Sequence, residues 1–151
     1  MKRILFVCTG NTCRSPMAEA LFRTKAKGQG WEIRSAGVAA FDGQPASRHA
    51  VDVLRERGIE SEHQASRIND ELVDWSDLIL TMTHNHKQAI LAYYPAARSK
   101  VYTLREFVGV EGYGDIADPF GGALEDYRRC AVEIEESLDM LYEQLAQNRD
   151  S

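Results

Sequence analysis

The chain lacks several features that mark other classes of protein. It has only three cysteines among 151 residues, and two of these share one loop, which does not fit the disulfide framework of a small secreted domain. No stretch approaches the roughly 18 consecutive apolar residues of a membrane span. The formal net charge of −5 argues against nucleic acid or an anionic membrane as partner, because both attract basic surfaces. We therefore expect a cytoplasmic protein with neither of these partners.

Apolar runs alternate with amphipathic stretches along the whole chain. A length of 151 residues predicts one domain over residues 1–151. Helices are expected from Ser15 to Gly28 or Gly30, after the candidate caps Ser47, Asn69 and Thr83, and along a final stripe from Leu124 to Leu145. Strands are expected over residues 4–7, 31–35, 78–82 and 101–104. This alternation favours an α/β sandwich with a parallel sheet, in which ligands bind at the C-terminal ends of the strands.

The loop after the first predicted strand has the composition of an anion site. Residues 8–15 read Cys-Thr-Gly-Asn-Thr-Cys-Arg-Ser and lead into a helix with Pro16 in its first turn. A tight polar loop points backbone N–H groups inward, and the following helix contributes the positive end of its dipole. A phosphate-sized dianion fits such a site.

The spacing Cys-x5-Arg turns this anion site into a candidate catalytic centre. Arg14 presents a planar fork that can bind two phosphate oxygens. Cys8, beside Arg14 and above the helix dipole, is expected to be a thiolate, and Ser15 can hydrogen-bond its sulfur. The predicted first step is in-line attack of the sulfur on phosphorus, which yields a phosphocysteine.

A glycine- and acid-rich segment from Gly109 to Gly122 has no periodicity and is predicted to be a long functional loop. The leaving group of the reaction needs a proton, and water must later be activated, so the site requires a carboxylic acid. Asp118, which precedes Pro119, is the first candidate. Asp115 is the alternative.

Residues 7–16 resemble the active-site loop of the low-molecular-weight protein tyrosine phosphatase family, and Asp118-Pro119-Phe120 resembles its general-acid loop. Further matches are Ser35-Ala36-Gly37, His63 with Ala65, and the region of Met82, in the family's order. The resemblance implies a three-layer α/β/α sandwich with a four-stranded parallel sheet, no metal or other cofactor, phosphorylated proteins as substrates and phosphate as product. We also expect a monomer.

The resemblance assigns roles to individual residues. The catalytic residues are Cys8, Arg14 and Asp118. Contacts with the phosphate and the substrate are expected from Thr9, Gly10, Asn11, Thr12, Cys13, Ser15, Phe41 and Phe120, the two aromatic residues forming opposite walls of the cleft. The loop is expected to be braced by Asn11 together with Ser15, Ser35 and His63.

Two positions bear on the substrate. Position 12 is threonine where many tyrosine-specific relatives carry isoleucine or leucine, and Phe120 is followed by Gly121-Gly122 instead of a second aromatic residue. Both features resemble the bacterial protein arginine phosphatase branch. A smaller polar residue leaves room for a guanidinium group, with which the Asp118 carboxylate can pair. Phosphoarginine is therefore the predicted substrate, and phosphotyrosine is the alternative.

Two other functions use this architecture. An arsenate reductase would relay oxidation through a cysteine pair after the third strand, but residues 80–91 contain no cysteine. A phosphate-binding module without activity would be expected to have lost Cys8, Arg14 or the late aspartate, and all three are present.

The remaining cysteines and histidines have simpler interpretations. Cys13 either packs beneath the loop or forms a reversible disulfide with Cys8 that protects the nucleophile from overoxidation, whereas Cys130 is expected to be inert. His84 and His86 are two positions apart at a helix start and do not share a helical face, which disfavours a metal site.

Overall fold

The structure is a computed structural model that describes residues 2–110 and 115–147. Four parallel strands form one sheet in the order β2-β1-β3-β4. The strands are β1 (Arg3–Cys8), β2 (Glu32–Gly37), β3 (Leu78–Thr81) and β4 (Val101–Thr103). The helices are α1 (Arg14–Lys25), α2 (Arg48–Glu56), α3 (Asp70–Trp75), α4 (His84–Tyr93), α5 (Leu104–Phe107) and α6 (Leu124–Gln147). A 3₁₀ helix spans Pro95–Lys100.

The central strand β1 shows why the sheet carries helices on both faces. Ile4 and Phe6 belong to the core shared with α1, α2 and α6, whereas Leu5 and Val7 belong to the core shared with α3 and α4. All four side chains are fully buried, as expected for a parallel strand covered on both sides. The predicted three-layer α/β/α sandwich with a four-stranded parallel sheet is confirmed.

The long helix α6 covers one face of the molecule. Its buried side chains recur every three or four positions, which is the spacing of one helical face, and α6 packs against α1 and α2. The residues of this stripe are Tyr127, Ala131, Ile134, Leu138, Leu141 and Leu145. Within the described ranges, no helix is long and apolar enough to cross a membrane.

The strand order determines where a ligand can bind. The chain passes from β1 to one neighbour, β2, and then crosses to the other neighbour, β3, so the connections diverge at the carboxyl end of β1. In open α/β sheets, ligands bind in the crevice at such a point. Because Val7 pairs with Thr81, the loop after β1 lies beside the start of α4.

Two predicted boundaries are wrong by two residues or more. Helix α1 ends at Lys25 and not at Gly28 or Gly30: the N–H of Ala26 makes the last helical bond to the carbonyl of Phe22 at 2.8 Å, the N–H of Gln29 then closes a turn on the carbonyl of Ala26 at 3.0 Å, and both glycines have left-handed backbone. Strand β2 runs past Ser35 to Gly37, because its last two residues pair with the end of β1.

Two short helices were not predicted from the sequence, and one predicted loop is only partly described. The 3₁₀ helix and α5 were not predicted, although Thr103 and Glu106 form a capping box at the start of α5. The loop predicted from Gly109 to Gly122 is only partly described, since residues 111–114 lie outside the described residues, as do residue 1 and residues 148–151.

Candidate active site

The predicted nucleophile and guanidinium lie at the two ends of one loop. Cys8 is the last residue of β1, Arg14 is the first residue of α1, and both are almost fully buried. The N-cap residue Cys13 makes no side-chain capping bond, so the first N–H groups of α1 are not satisfied by their own cap. A cavity of about 240 Å³ opens above the loop and is lined by Cys8, Thr9, Gly10, Thr12, Cys13, Arg14, Gln44, Asp118 and Phe120.

Asn11 determines the shape of the loop. With φ of 56° it is the one non-glycine residue in the described ranges with left-handed backbone, a conformation that is strained without local support. Its side-chain N–H groups donate to Ser15 at 2.8 Å and to Ser35 at 2.9 Å. Its side-chain oxygen accepts from the N–H of Ser66 at 2.9 Å, and its carbonyl accepts from Nε2 of His63 at 2.7 Å. The predicted bracing residues therefore converge on Asn11.

Glu19 contacts two of these bracing residues, Ser35 and His63. The sequence analysis gave it no such role. Ser35 donates to Glu19 at 2.5 Å, Arg23 pairs with it at 2.6 Å, and Nδ1 of His63 lies 3.6 Å away. Burial alone would raise the pKa of Glu19, but the bonds from His63 and Ser35 and the charge of Arg23 hold it below its usual value. A charged carboxylate beneath the loop was not deducible from a glutamate in the first turns of α1.

The Ser15 hydroxyl contacts the candidate nucleophile. Its oxygen lies 2.9 Å from Sγ of Cys8 and accepts the bond from Asn11. Because Ser15 accepts that bond through a lone pair of its oxygen, the hydroxyl hydrogen remains available to the sulfur, with the carbonyl of Ala36 at 3.4 Å as the competing acceptor. The expected Ser15 contact is present in the structure.

Arg14 joins the loop to the segment that carries the candidate acid. One terminal nitrogen, Nη1, donates to the carbonyl of Ile116 at 2.9 Å, and the other, Nη2, lies 3.5 Å from the carboxylate of Asp118. Its Nε atom is buried without a hydrogen-bond partner among the described residues. A buried unpaired guanidinium N–H is costly, and an anionic oxygen in the cavity would satisfy it.

The two candidate acids have different surroundings. Asp115 accepts from the backbone N–H of His84 at 2.8 Å and so helps to cap α4. The Asp118 side chain is 51% exposed, lines the cavity over Cys8 and accepts the N–H of Phe120 at 3.0 Å. Of the two, only Asp118 lines the cavity that contains the thiol.

The two aromatic residues predicted as walls are not equivalent. Phe120 lines the cavity, whereas Phe41, with 77% of its surface exposed, is not among the described lining residues. Gln44 lines the cavity, and its carbonyl is anchored by the N–H of Ala65 at 2.7 Å. No sequence signal identified Gln44, because an isolated glutamine in a loop has no characteristic pattern.

His86 is a further neighbour of the loop that the sequence reasoning missed. It is almost fully buried, and its Nε2 lies 2.8 Å from the hydroxyl oxygen of Thr9. Burial, and then the charge of Arg14, lower its pKa to about 4. His84 is exposed, and within the described ranges no group of three acidic, histidine or cysteine side chains could hold a metal ion.

The remaining contacts concern the other two cysteines. All three cysteines are free thiols, and Sγ of Cys13 lies 3.4 Å from the hydroxyl of Tyr127. Burial raises the pKa of Cys130 to about 12.

A larger cavity of about 600 Å³ lies elsewhere, beside Glu19 and His63. Cavity size therefore does not identify the site that contains the thiol and the guanidinium.

A parallel α/β sandwich that presents a buried thiol, an arginine fork and an aspartate around one anion-binding loop defines a cysteine-type phosphatase. The family model described as low molecular weight phosphotyrosine protein phosphatase matches residues 3–151. The chain belongs to this family, and the predicted enzyme class, a protein phosphatase, is confirmed.

Relatives within the family carry two different names. The solved arginine phosphatase from Geobacillus stearothermophilus is 49% identical, with a TM-score of 0.95 over 99% of this chain and 96% of that one. A mutant of the arginine phosphatase YwlE, with serine in place of a cysteine and that active-site serine phosphorylated, is 46% identical, with a TM-score of 0.93 over 98% of both chains. A tyrosine phosphatase from Staphylococcus haemolyticus is 42% identical over 87% of this chain and 91% of its own length.

Proposed function

We propose that this protein hydrolyses phosphoarginine on proteins through a phosphocysteine intermediate. Similarity to proteins named as arginine phosphatases, at 51% and 47% identity over 95% and 97% of the chain, supports the substrate. The phosphorylated serine that replaces a cysteine in the related structure supports a covalent intermediate on the corresponding side chain. The buried thiol of Cys8, at the mouth of an anion-binding loop, is the matching group here.

In the first step, the thiolate of Cys8 attacks the phosphorus atom in line with the P–N bond. The S–P bond forms as the P–N bond breaks, and Asp118 gives its proton to the departing nitrogen. The loop N–H groups and Arg14 hold the other phosphoryl oxygens, where negative charge must be stabilised. The unpartnered Nε of Arg14 supports this binding mode.

In the second step, water releases the phosphate. The Asp118 carboxylate takes a proton from a water molecule whose oxygen attacks phosphorus, and the S–P bond breaks to return the thiolate and inorganic phosphate. Ser15, 2.9 Å from the sulfur, stabilises the leaving thiolate by hydrogen bonding. The same residues serve both steps.

One observation carries the preference for phosphoarginine. At the mouth of the cavity the half-exposed carboxylate of Asp118 lies among the lining residues together with Thr12 and Gln44. Once Asp118 has given its proton to the departing nitrogen, the guanidinium that leaves is cationic and has several N–H donors, so it gains a charge-assisted bond from the carboxylate that remains. A phenol ring offers no such donors.

A comparison of two phosphopeptides tests this proposal. The ratio of kcat/KM on phosphoarginine and phosphotyrosine peptides of otherwise identical sequence is measured for the wild type, Thr12→Ile and Thr12→Val. We expect the wild type to favour phosphoarginine and Thr12→Ile to lose that preference. The Thr12→Val variant keeps the shape of threonine without its hydroxyl, so it separates the size of the side chain from its hydrogen bonding. A wild type that prefers phosphotyrosine contradicts the proposal.

Tyrosine phosphatase activity is the second candidate. The exposed ring of Phe120, at the rim of the cavity, favours it, since an aromatic wall can stack on a phenol. The 42% identity to a protein named as a tyrosine phosphatase points the same way. The same pair of peptides distinguishes the two activities.

We also propose that the protein acts as a monomer in the cytoplasm. The three groups that the mechanism requires, Cys8, Arg14 and Asp118, line one cavity, so the reaction needs no residue from a second copy. The three free thiols suit a reducing compartment. Sedimentation of the purified protein at micromolar concentration tests the first point, and fractionation of cells tests the second.

A further inference from the structure

His86 ties the helix after β3 to the loop after β1. It is the third residue of α4, and its own N–H donates to the hydroxyl of the cap residue Thr83 at 3.2 Å. Because β1 and β3 are neighbours in the sheet, the first turn of α4 lies beside the phosphate-binding loop. The imidazole reaches across this gap to the Thr9 hydroxyl at 2.8 Å.

We propose that His86 is a positioning residue for the reaction, which holds Thr9 and thereby orients the first peptide units of the phosphate-binding loop. The inference rests on the proposed phosphatase chemistry at Cys8. His86 lies outside the phosphate-binding loop, outside the group of residues that brace Asn11, and outside the segment that carries Asp118.

Thr9 is restrained from two directions. On the side of β2, its carbonyl accepts the N–H of Ala39 at 2.9 Å, and the carbonyl of Cys8 accepts the N–H of Val38 at 3.0 Å. On the side of β3, the His86 bond holds its side chain. With carbonyls and side chain held outward, the peptide N–H groups that follow Cys8 are left to face the phosphate, which is the preorganisation that anion stabilisation requires.

Thr9 also lines two cavities, so its position affects both. One is the cavity over Cys8, and the other, of about 470 Å³, is lined by His86, Asp115 and nearby residues. Arg14 and Asp118 line both cavities as well. A Thr9 side chain released from His86 has open space on that side, and the restraint is therefore needed to keep the loop in one conformation.

The charge of His86 is compatible with this role. Burial and the charge of Arg14 disfavour the protonated imidazole, and together they outweigh the carboxylates of Asp118 and Asp115, which favour it. Above about pH 5 the ring is neutral, since its pKa lies near 4. It therefore holds Thr9 without placing a second positive charge beside Arg14, where a cationic leaving group would be repelled.

A double-mutant cycle tests the proposed restraint. His86→Leu removes the bond from one side, Thr9→Val removes it from the other, and the double variant removes both partners. If His86 acts through Thr9, each single variant loses about tenfold in kcat/KM, which corresponds to one hydrogen bond, and the double variant loses no more than either. Losses that multiply overturn the proposal, because His86 then acts by packing alone.

Two further variants separate positioning from folding. His86→Gln carries an amide that can reach the position of Nε2 and is expected to recover activity, whereas a merely structural role would not depend on that hydrogen-bonding group. His84→Leu, at an exposed position of the same helix, is the matched control and is expected to retain wild-type kcat/KM. The Tm of each variant shows whether it folds.

Binding of inorganic phosphate decides the inference independently of turnover. The Kd for phosphate, measured by calorimetry, is expected to rise about tenfold in His86→Leu and to return towards the wild-type value in His86→Gln. An unchanged Kd in a folded His86→Leu variant overturns the inference. If the wild type releases phosphate from neither peptide, the proposed function fails, whereas the phosphate measurement still tests the restraint.

Discussion

Arg14 donates through Nη1 to the carbonyl oxygen of Ile116 at 2.9 Å, across 102 positions of sequence. Two residues further on, the Asp118 carboxylate lies 3.5 Å from Nη2 of the same guanidinium. Arg14 thus also holds the segment that carries Asp118. The N–H of Ile116 anchors the same segment by donating to the carbonyl of Met82 at 2.8 Å. A lysine at position 14 would keep the charge but not this planar set of donors.

Asp118→Asn is expected to lower kcat by about 10² to 10⁴, the usual contribution of a general acid or base. The loss should be larger for leaving groups that need protonation than for p-nitrophenol, so a series of aryl phosphates measures it. Asp115→Asn is the control, because an asparagine oxygen can still accept the His84 N–H. Equal losses in the two variants would mean that the acid is wrongly assigned.

Cys8→Ser is expected to abolish turnover, because a serine hydroxyl is a far weaker nucleophile towards phosphorus than sulfur is. Phosphate release from both phosphopeptides measures the effect. Cys130→Ser is the comparison: that thiol is buried on α6, its pKa is raised to about 12, and its loss should leave kcat/KM intact. Full activity of Cys8→Ser would refute the proposed intermediate.

Mild oxidation is expected to link Cys8 to Cys13 reversibly. Peroxide oxidises the Cys8 thiolate to a sulfenic acid, the Cys13 thiol attacks that sulfur, and water leaves as the disulfide forms. Wild type should regain activity with dithiothreitol, whereas Cys13→Ser should lose activity irreversibly as oxidation continues. Mass spectrometry of the loop peptide identifies the products. Equal recovery of both proteins would contradict the prediction.

Gly37→Ala is expected to displace the active-site loop. An added Cβ would lie 2.4 Å from the carbonyl oxygen of Thr9 and 2.9 Å from the nitrogen of Asn11, and backbone atoms cannot move aside as a flexible side chain can. A shift of about 1 Å at a catalytic group costs roughly 10²-fold in rate. The measured quantities are kcat/KM and Tm.

Gly28→Ala provides the control for this substitution. Gly28 has a φ of +90° but no atom within 4 Å of an added Cβ, so alanine there strains the backbone without touching the site. Its Tm should fall while kcat/KM stays at the wild-type value. If Gly37→Ala likewise lowers Tm and leaves kcat/KM unchanged, the close approach of the Thr9 and Asn11 backbone to Gly37 does not position the loop.

Stability is expected to fall at acid pH as Glu19 takes up a proton. The pKa of Glu19 in the folded state lies below its usual 4.5, so its contribution is fully present above pH 4.5 and is lost as the pH drops through the lowered folded value. Urea unfolding at several pH values should therefore show a weaker acid dependence for Glu19→Gln than for wild type. The exposed Glu71→Gln is the control, and an unchanged profile for Glu19→Gln would contradict the assignment.

Local features were predicted well because they depend on neighbouring residues. The candidate caps Ser47, Asn69 and Thr83 all accept an N–H from the first turn of their helices, since a side-chain oxygen at an N-cap needs only the residues that follow it. Boundaries were less accurate. The end of β2 depends on pairing with β1, which no local pattern records.

The supporting residues of the site were beyond the reach of sequence patterns. Glu19 acts through Ser35 and His63, and Gln44 reaches the cavity because residues 43–45 are anchored to residues 64 and 65. His86 contacts a residue 77 positions away. None of these partners is adjacent in the chain, and single polar residues carry no periodicity.

By itself the sequence determined the chemistry of the loop and the type of fold. The spacing from Cys8 to Arg14 is a local property, and alternating strands and helices limit the architecture to a parallel sandwich. The tertiary structure decided which aspartate reaches the thiol, how Asn11 is held in left-handed backbone, and what restrains Thr9. The physical reason is the strand order, because only the assembled sheet brings the ends of β1, β2 and β3 together.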